Sequence, residues 1–167
     1  MVAWPNVQAT GMESSLSTLP DNPAKIQPAS WRDVNAVLQL ERICFPKDMW
    51  PIWDIVGVLT LPNVVRLKAM RDGSLVGFAA VDQRHNEKTG WIATLGVLPD
   101  YRRQGIGSAL LEDCEKRAGL PSMKLSVRAS NRTALELYHN HGYKPINVWQ
   151  GYYLDREDAI VLEKKLL

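Results

Sequence analysis

The residues with the clearest chemical potential form one run, Val97-Leu98-Pro99-Asp100-Tyr101-Arg102-Arg103-Gln104-Gly105-Ile106-Gly107-Ser108. The sequence ahead of it reads as a strand and the sequence after it as an amphipathic helix. A helix begins with main-chain N–H groups that have no partner inside the helix, and its macrodipole adds partial positive charge there. Such an end binds anions with main-chain donors. Gly105 and Gly107 lack the Cβ atoms that would hold a phosphate off, and Arg102 and Arg103 add charge at the rim. The run is not a P-loop, because Lys-Ser/Thr is missing after the second glycine. Nor is it a dinucleotide fingerprint, because GxGxxG is incomplete and no βαβ repeat follows. A lone GxG also serves tight turns and close helix contacts; between a strand and a helix, behind two arginines, it favours a pyrophosphate.

Gly96 is a second clue. Glycine inside a strand weakens it and marks a bulge or a place where another backbone comes close. Simple close contact accounts for it equally well. Two strands diverging beside it would leave N–H and C=O groups to pair with an amide-bearing ligand, and pantetheine is such a ligand. His85, His139 and His141 have no spacing with an acid or nucleophile that supports a triad, and read as surface or loop residues.

These residues need positioning elements. Residues 1–24 show neither helical nor strand periodicity and read as a flexible or loosely docked tail, with the domain at 25–167. From Ser30, the spacing of Val34, Val37, Leu38, Leu40 and Ile43 predicts a helix that Pro46 ends, and residues 53–59 a shorter one. Residues 64–70 and 75–81 read as strands of a hairpin turning at Asp72-Gly73. A polar loop, 83–89, leads to a strand at 91–98 in which Trp91, Ala93, Leu95 and Val97 share one face. The clearest helix runs from Ile106 to Ala118, capped by Gly119. Then come a strand at 123–128, a helix at 131–141 closed by Gly142, and strands at 146–153 and 159–164. The order is two helices, three antiparallel strands, then αβαββ.

Composition narrows the classes. A chain of 167 residues with 46% apolar residues fits one globular domain. A net charge of +2 with interspersed signs argues against a nucleic-acid surface. Cys44 and Cys114 have no CxxC partner, so free thiols in a reducing compartment are expected, and no zinc site. No apolar run is long enough for a membrane span. The expected location is the cytoplasm, with no membrane partner.

The residues also resemble the GNAT acetyltransferases, whose motif Gln/Arg-x-x-Gly-x-Gly/Ala stands here as Arg102-x-x-Gly105-x-Gly107. Further stretches look like the ribosomal-protein alanine N-acetyltransferase branch. They are Leu95-Gly96-Val97, Val127-Arg128-Ala129-Ser130-Asn131, Leu137-Tyr138-x-x-x-Gly142-Tyr143, Tyr152-Tyr153, Arg156-Glu157-Asp158-Ala159-Ile160 and Glu41-x-x-x-Phe45-Pro46. The likeness covers about residues 25–165. It implies an α+β fold with a mixed, mostly antiparallel sheet, helices on both faces and a splayed cofactor cleft.

By the same resemblance the cosubstrate is acetyl-CoA and no metal is needed. Leu95, Gly96 and Val97 bind pantetheine and polarise the thioester carbonyl. Arg102 belongs to the cofactor motif, and Arg103, Gln104, Gly105, Ile106, Gly107 and Ser108 hold the pyrophosphate. Asn131 contacts the cofactor, although it also stands where a helix N-cap is expected. Tyr138 matches the general acid that protonates the departing thiolate. Glu41, Phe45, Ser126 and Tyr152 fall on the acceptor side. Ser126 stands where the branch carries a glutamate base, and a serine is too weak a base, so the base is unassigned. The implied acceptor is a protein N-terminal α-amine, ribosomal proteins included. A small free amine, a lysine side chain and a non-catalytic acyl-CoA-binding module are the alternatives.

Overall fold

A computed structural model describes residues 23–166. All of the expected tail but its last two residues lies outside them. The chain order is β1 (Lys25–Pro28), α1 (Val34–Cys44), α2 (Ile52–Thr60), β2 (Val64–Arg71), β3 (Ser74–Arg84), β4 (Thr89–Val97), α3 (Ile106–Ala118), β5 (Ser122–Arg128), α4 (Arg132–Asn140), β6 (Lys144–Trp149) and β7 (Ala159–Lys165). One seven-stranded sheet has the order β1-β2-β3-β4-β5-β7-β6. Every pairing is antiparallel except β4 with β5.

Several boundaries differ from the sequence reading: β3 runs on to Arg84 and β4 starts at Thr89, so the polar loop expected at 83–89 shrinks to 85–88. Strand β1 is additional: Lys-Ile-Gln-Pro is too short to show a period, and its proline is tolerated because the strand lies at the sheet margin. The strand expected at 146–153 ends at Trp149, which leaves Tyr152 and Tyr153 in the loop before β7.

Helices cover both faces of the sheet. Val37 and Leu40 of α1 and Ile55 and Leu59 of α2 pack with Phe78 and Ala80 on one face. Leu110 and Leu111 of α3 and Leu135 of α4 pack with Leu67, Ala79 and Val81 on the other. Strand β3 serves both cores by alternation, Phe78 and Ala80 on one face and Ala79 and Val81 on the other, and it carries a bulge, because Ala69 pairs with Gly77 and Met70 with Leu75, leaving Val76 as an extra residue. A Cβ on Gly77 would lie 3.0 Å from Leu110 Cδ1 and 3.3 Å from Ile106 Cγ2. The glycine thus lets the first turns of α3 rest directly on the sheet.

A second bulge shapes the opening. Ala80 pairs with Thr94 and Val81 with Ile92, so Ala93 is the extra residue in β4. A bulge bends its strand and increases the local twist. The expected alternation from Trp91 to Val97 breaks here. Ile92 joins the core with Leu95 and Val97, whereas Trp91 stacks on Trp149 with ring centres 5.9 Å apart. Strands β4 and β5 pair only at Thr89–Ser122, Gly90–Met123 and Trp91–Lys124, then diverge. The bulge comes two residues after the last of these pairs.

Candidate active site

Where β4 and β5 part, a cleft of about 470 Å³ opens along β4 towards α3 and α4. Leu95, Gly96 and Val97 form its strand side, Arg102, Arg103, Gly105, Gly107 and Ser108 its turn, and Asn131 part of the α4 side. Leu98 N–H donates to Val76 O on β3, so by strand alternation the polar main-chain groups of Leu95 and Val97 point into the gap. Arg102 Nε and Cys44 Sγ both reach Val97 O, at 2.8 and 3.4 Å.

The turn presents main-chain donors at the start of α3. Gly105 is the N-cap of α3 at φ 80°, in the left-handed region that glycine enters without strain. The N–H groups of Ile106, Gly107 and Ser108 have no partner inside the helix, and no acidic residue occupies the first turn. A Cβ on Gly105 would meet nothing within 4 Å, and one on Gly107 would come no nearer than 3.6 Å to Leu137. Gly105 thus faces open space, and a Cβ on Gly107 would make only ordinary contact, so packing against the protein requires neither glycine. Gly107→Val is expected to fold and to raise the acetyl-CoA dissociation constant at least about tenfold, or about 1.4 kcal/mol, in calorimetry. It is a cleaner probe than Gly105, where any side chain also strains the backbone.

A second pocket of about 280 Å³ lies on the other side of the gap. Glu41, Phe45, Asp48 and Trp50 line it from α1 and the segment after it, Ser126 from β5, Tyr138 from α4, and Tyr152 and Tyr153 from the β6–β7 loop. Phe45, Leu95, Asn131 and Ala134 border both openings, so the two meet there. Ala134 stands one helical turn before Tyr138, on the same side of α4.

Residues 34–143 match the sequence model of the Acetyltransferase (GNAT) family. The chain belongs to the GNAT family. It is 30% identical over 153 residues to an N-alpha-acetyltransferase of Saccharolobus solfataricus, covering 80% of this chain and 88% of the relative. The crystal structure of the ribosomal-protein-S18-alanine N-acetyltransferase from Escherichia coli superposes with a TM-score of 0.77 at 28% identity, covering 86% of this chain and 94% of that one. Arabidopsis thaliana NAA60 in complex with acetyl-CoA shares the fold, with a TM-score of 0.75 at 22% identity over 86% of this chain and 98% of that one. This GNAT protein is an acetyl-CoA-dependent N-acetyltransferase.

The GNAT fold brings most of the sequence-derived residues to the gap. Gln104 and Ile106 are set apart: the Gln104 side chain bonds Arg71 and Asp100 O, and Ile106 is buried in the core, so only its main chain serves the cradle. Arg103 pairs with Glu136 at 3.3 Å on the surface. Asn131 accepts from Ala134 N at 3.2 Å, so it caps α4 while lining both openings. Gly96 lacks a side chain because of α1: a Cβ there would lie 3.0 Å from Leu40 Cδ2 and 3.1 Å from Phe45 Cε2. The Thr94–Glu41 hydrogen bond and the pairing of Arg128 with Asp48 have no signal in the sequence, since no local pattern marks partners so distant in the chain.

Two ionisable side chains in the second pocket are buried. Tyr138 is 6% exposed, and burial holds its phenol pKa well above the usual value. Its ring meets Tyr143 edge-on at 5.4 Å, and Tyr143 donates to Glu115, which Lys164 bridges at 2.6 Å. Glu41 is 1% exposed and accepts from Thr94 Oγ1 at 2.7 Å. Burial raises the Glu41 pKa, and the Thr94 hydrogen bond only partly opposes that.

Proposed function

We propose that this enzyme acetylates the α-amino group of a protein or peptide N-terminus, with Glu41 as general base and Tyr138 as general acid. The observation that carries this reading is the meeting of a phosphate-cradling cleft and a second pocket at β4, with one buried carboxylate and one buried phenol on the acceptor side. The relatives named for transfer to N-terminal amines support the choice of acceptor.

Bound acetyl-CoA supplies the activated acyl group. Main-chain N–H groups of Leu95 and Val97 face the gap, where they stabilise negative charge on the acyl oxygen. Glu41, desolvated and therefore more basic than an exposed carboxylate, takes the proton of the attacking amine. Tyr138 stays protonated and donates to the leaving sulfur. The buried setting that holds the phenol neutral also makes a thiolate beside it more basic, which favours the transfer.

Arg103, Gly105, Gly107 and Ser108 hold the pyrophosphate in this reading, and Arg102 turns to it from Val97 O. Phe45 and Tyr152 flank the incoming chain. Ser126 lines the pocket without acting as a base, so Ser126→Ala is expected to change kcat/KM by less than about threefold, measured with an N-terminal peptide. Ribosomal-protein N-termini are among the acceptors we infer, and the free thiols Cys44 and Cys114 accord with a cytoplasmic setting.

The deciding experiment follows coenzyme A release with N-terminal peptides, internal-lysine peptides and small amines. The expected order places free N-termini first. An α-amine of pKa near 8 is roughly a tenth neutral at pH 7, against less than about a thousandth for lysine. Faster acetylation of lysine peptides or small amines would overturn the acceptor assignment; no release with any amine would leave a binding module.

A further inference from the structure

Arg128 ends β5 and lines the floor of the acceptor pocket, with its side chain only 12% exposed. Its Nε and Nη2 donate to the two carboxylate oxygens of Asp48, both at 2.6 Å. Its Nη1 donates to Glu157 at 2.6 Å and to Asp155 at 3.0 Å. The guanidinium also lies 4.0 Å from the centre of the Tyr153 ring.

These partners come from two separate segments. Asp48 belongs to the connection at 45–51 between α1 and α2, whereas Tyr153, Asp155 and Glu157 belong to the loop at 150–158 between β6 and β7. Each segment supplies one wall of the acceptor pocket: Phe45, Asp48 and Trp50 on one side, Tyr152 and Tyr153 on the other. Arg128 ties the two walls to one point, and Lys47 of the first segment adds an exposed pair with Asp155 of the second at 3.5 Å. The tie reaches α4 as well, because the second Glu157 oxygen accepts from Ser130 N at 2.8 Å, next to the Asn131 cap of the helix that carries Tyr138.

Net stability is a weak reason for such a cluster, since the cost of desolvating ions largely cancels their attraction. What a planar guanidinium gives when it is gripped bidentately is fixed geometry. With three carboxylates around it, Arg128 is not a free cation for the acceptor.

We propose that Arg128 is a positioning residue: it sets the spacing of the two walls of the acceptor pocket, and through it the KM for the peptide, without taking part in acetyl-CoA binding. This rests on the reading of the pocket as the acceptor site. No residue of the cradle at the start of α3 is among the partners of Arg128, and the link towards Asn131 runs through the Ser130–Glu157 hydrogen bond, which the test retains.

The test loosens the clasp from outside the pocket. Asp155→Asn with Glu157→Gln removes two charges, and the amide introduced by the second substitution keeps an oxygen for Ser130 N; neither residue lines the pocket. Expected are a rise of at least fivefold in peptide KM, a kcat within twofold, an unchanged acetyl-CoA dissociation constant, and faster hydrogen exchange at 45–51, which carries neither substitution. Arg128→Lys, which keeps the charge, loses the bidentate grip and leaves the Lys47–Asp155 pair in place, is expected to raise KM and exchange at 45–51 at least as much.

An unchanged KM in the folded double variant, or an exchange increase confined to 150–158, overturns the proposal. So does a parallel loss of cofactor affinity, which marks a general loosening of the fold. If wild type acetylates no peptide, the acceptor assignment has failed instead, and the exchange measurement, which needs no acceptor, judges the coupling by itself.

Discussion

Tyr138→Phe is expected to lower kcat by roughly 10²- to 10⁴-fold, the range for removal of a general acid, with acetyl-CoA affinity within twofold of wild type. The substitution removes one hydroxyl and keeps the ring that packs edge-on against Tyr143. The fold and the cradle at Gly105 and Gly107 are then untouched, and the loss falls on the chemical step. Because burial holds the phenol pKa above its normal value, Tyr138 is protonated throughout the neutral range, and no alkaline fall in rate from its ionisation is expected below about pH 10. Single-turnover rates beside calorimetric affinities check both parts. A kcat within twofold of wild type would make Tyr138 a packing residue only.

Glu41→Gln is expected to reduce kcat/KM by about 10²-fold or more and to change the shape of its pH profile. Glutamine preserves size and can still accept from Thr94, so what is lost is the proton acceptor. The sign follows from burial: the Glu41 pKa is raised, so the carboxylate is protonated, and activity lost, at a pH where an exposed glutamate would still be ionised. Wild-type kcat/KM is expected to fall as pH drops through that raised value, in addition to the fall caused by protonating the α-amine near pH 8. In the variant only the amine-dependent limb remains. A wild-type profile with the amine limb alone, together with an active Glu41→Gln, would remove Glu41 from the base role.

Local chemistry made the cradle legible. The strand-turn-helix pattern, the two glycines and the arginines lie within one short run, 97–108, and the structure sets Gly105 at positive φ as the N-cap. What stayed hidden depends on chain segments meeting from afar. The Glu41–Thr94 hydrogen bond spans 53 residues and the Asp48–Arg128 pair spans 80. No spacing rule reaches across those intervals, although the family resemblance had placed Glu41 on the acceptor side. The bulges at Val76 and Ala93 were hidden for another reason: neither valine nor alanine signals an extra residue, and only the register of the partner strand reveals it. Gly96 was noticed for its close approach, but the neighbour is α1. Tyr152 falls within the strand expected at 146–153; instead it lies in a loop, in ring contact with Trp149 and Tyr153.

The divergence of β4 and β5 also has a mechanical consequence. Joined by three residue pairs, the sheet consists of two half-sheets, β1 to β4 and β5 with β7 and β6, that share little hydrogen bonding of their own. A molecule seated between them with amide groups along β4 acts as a spacer that binds one half while bracing the other. Its binding free energy then adds to folding stability, by about 2.7 kcal/mol at a hundred times its dissociation constant. Protection from hydrogen exchange should therefore rise in β5 and β7 as well as in β4, and heating should melt the halves together when acetyl-CoA is bound and less cooperatively when it is withdrawn.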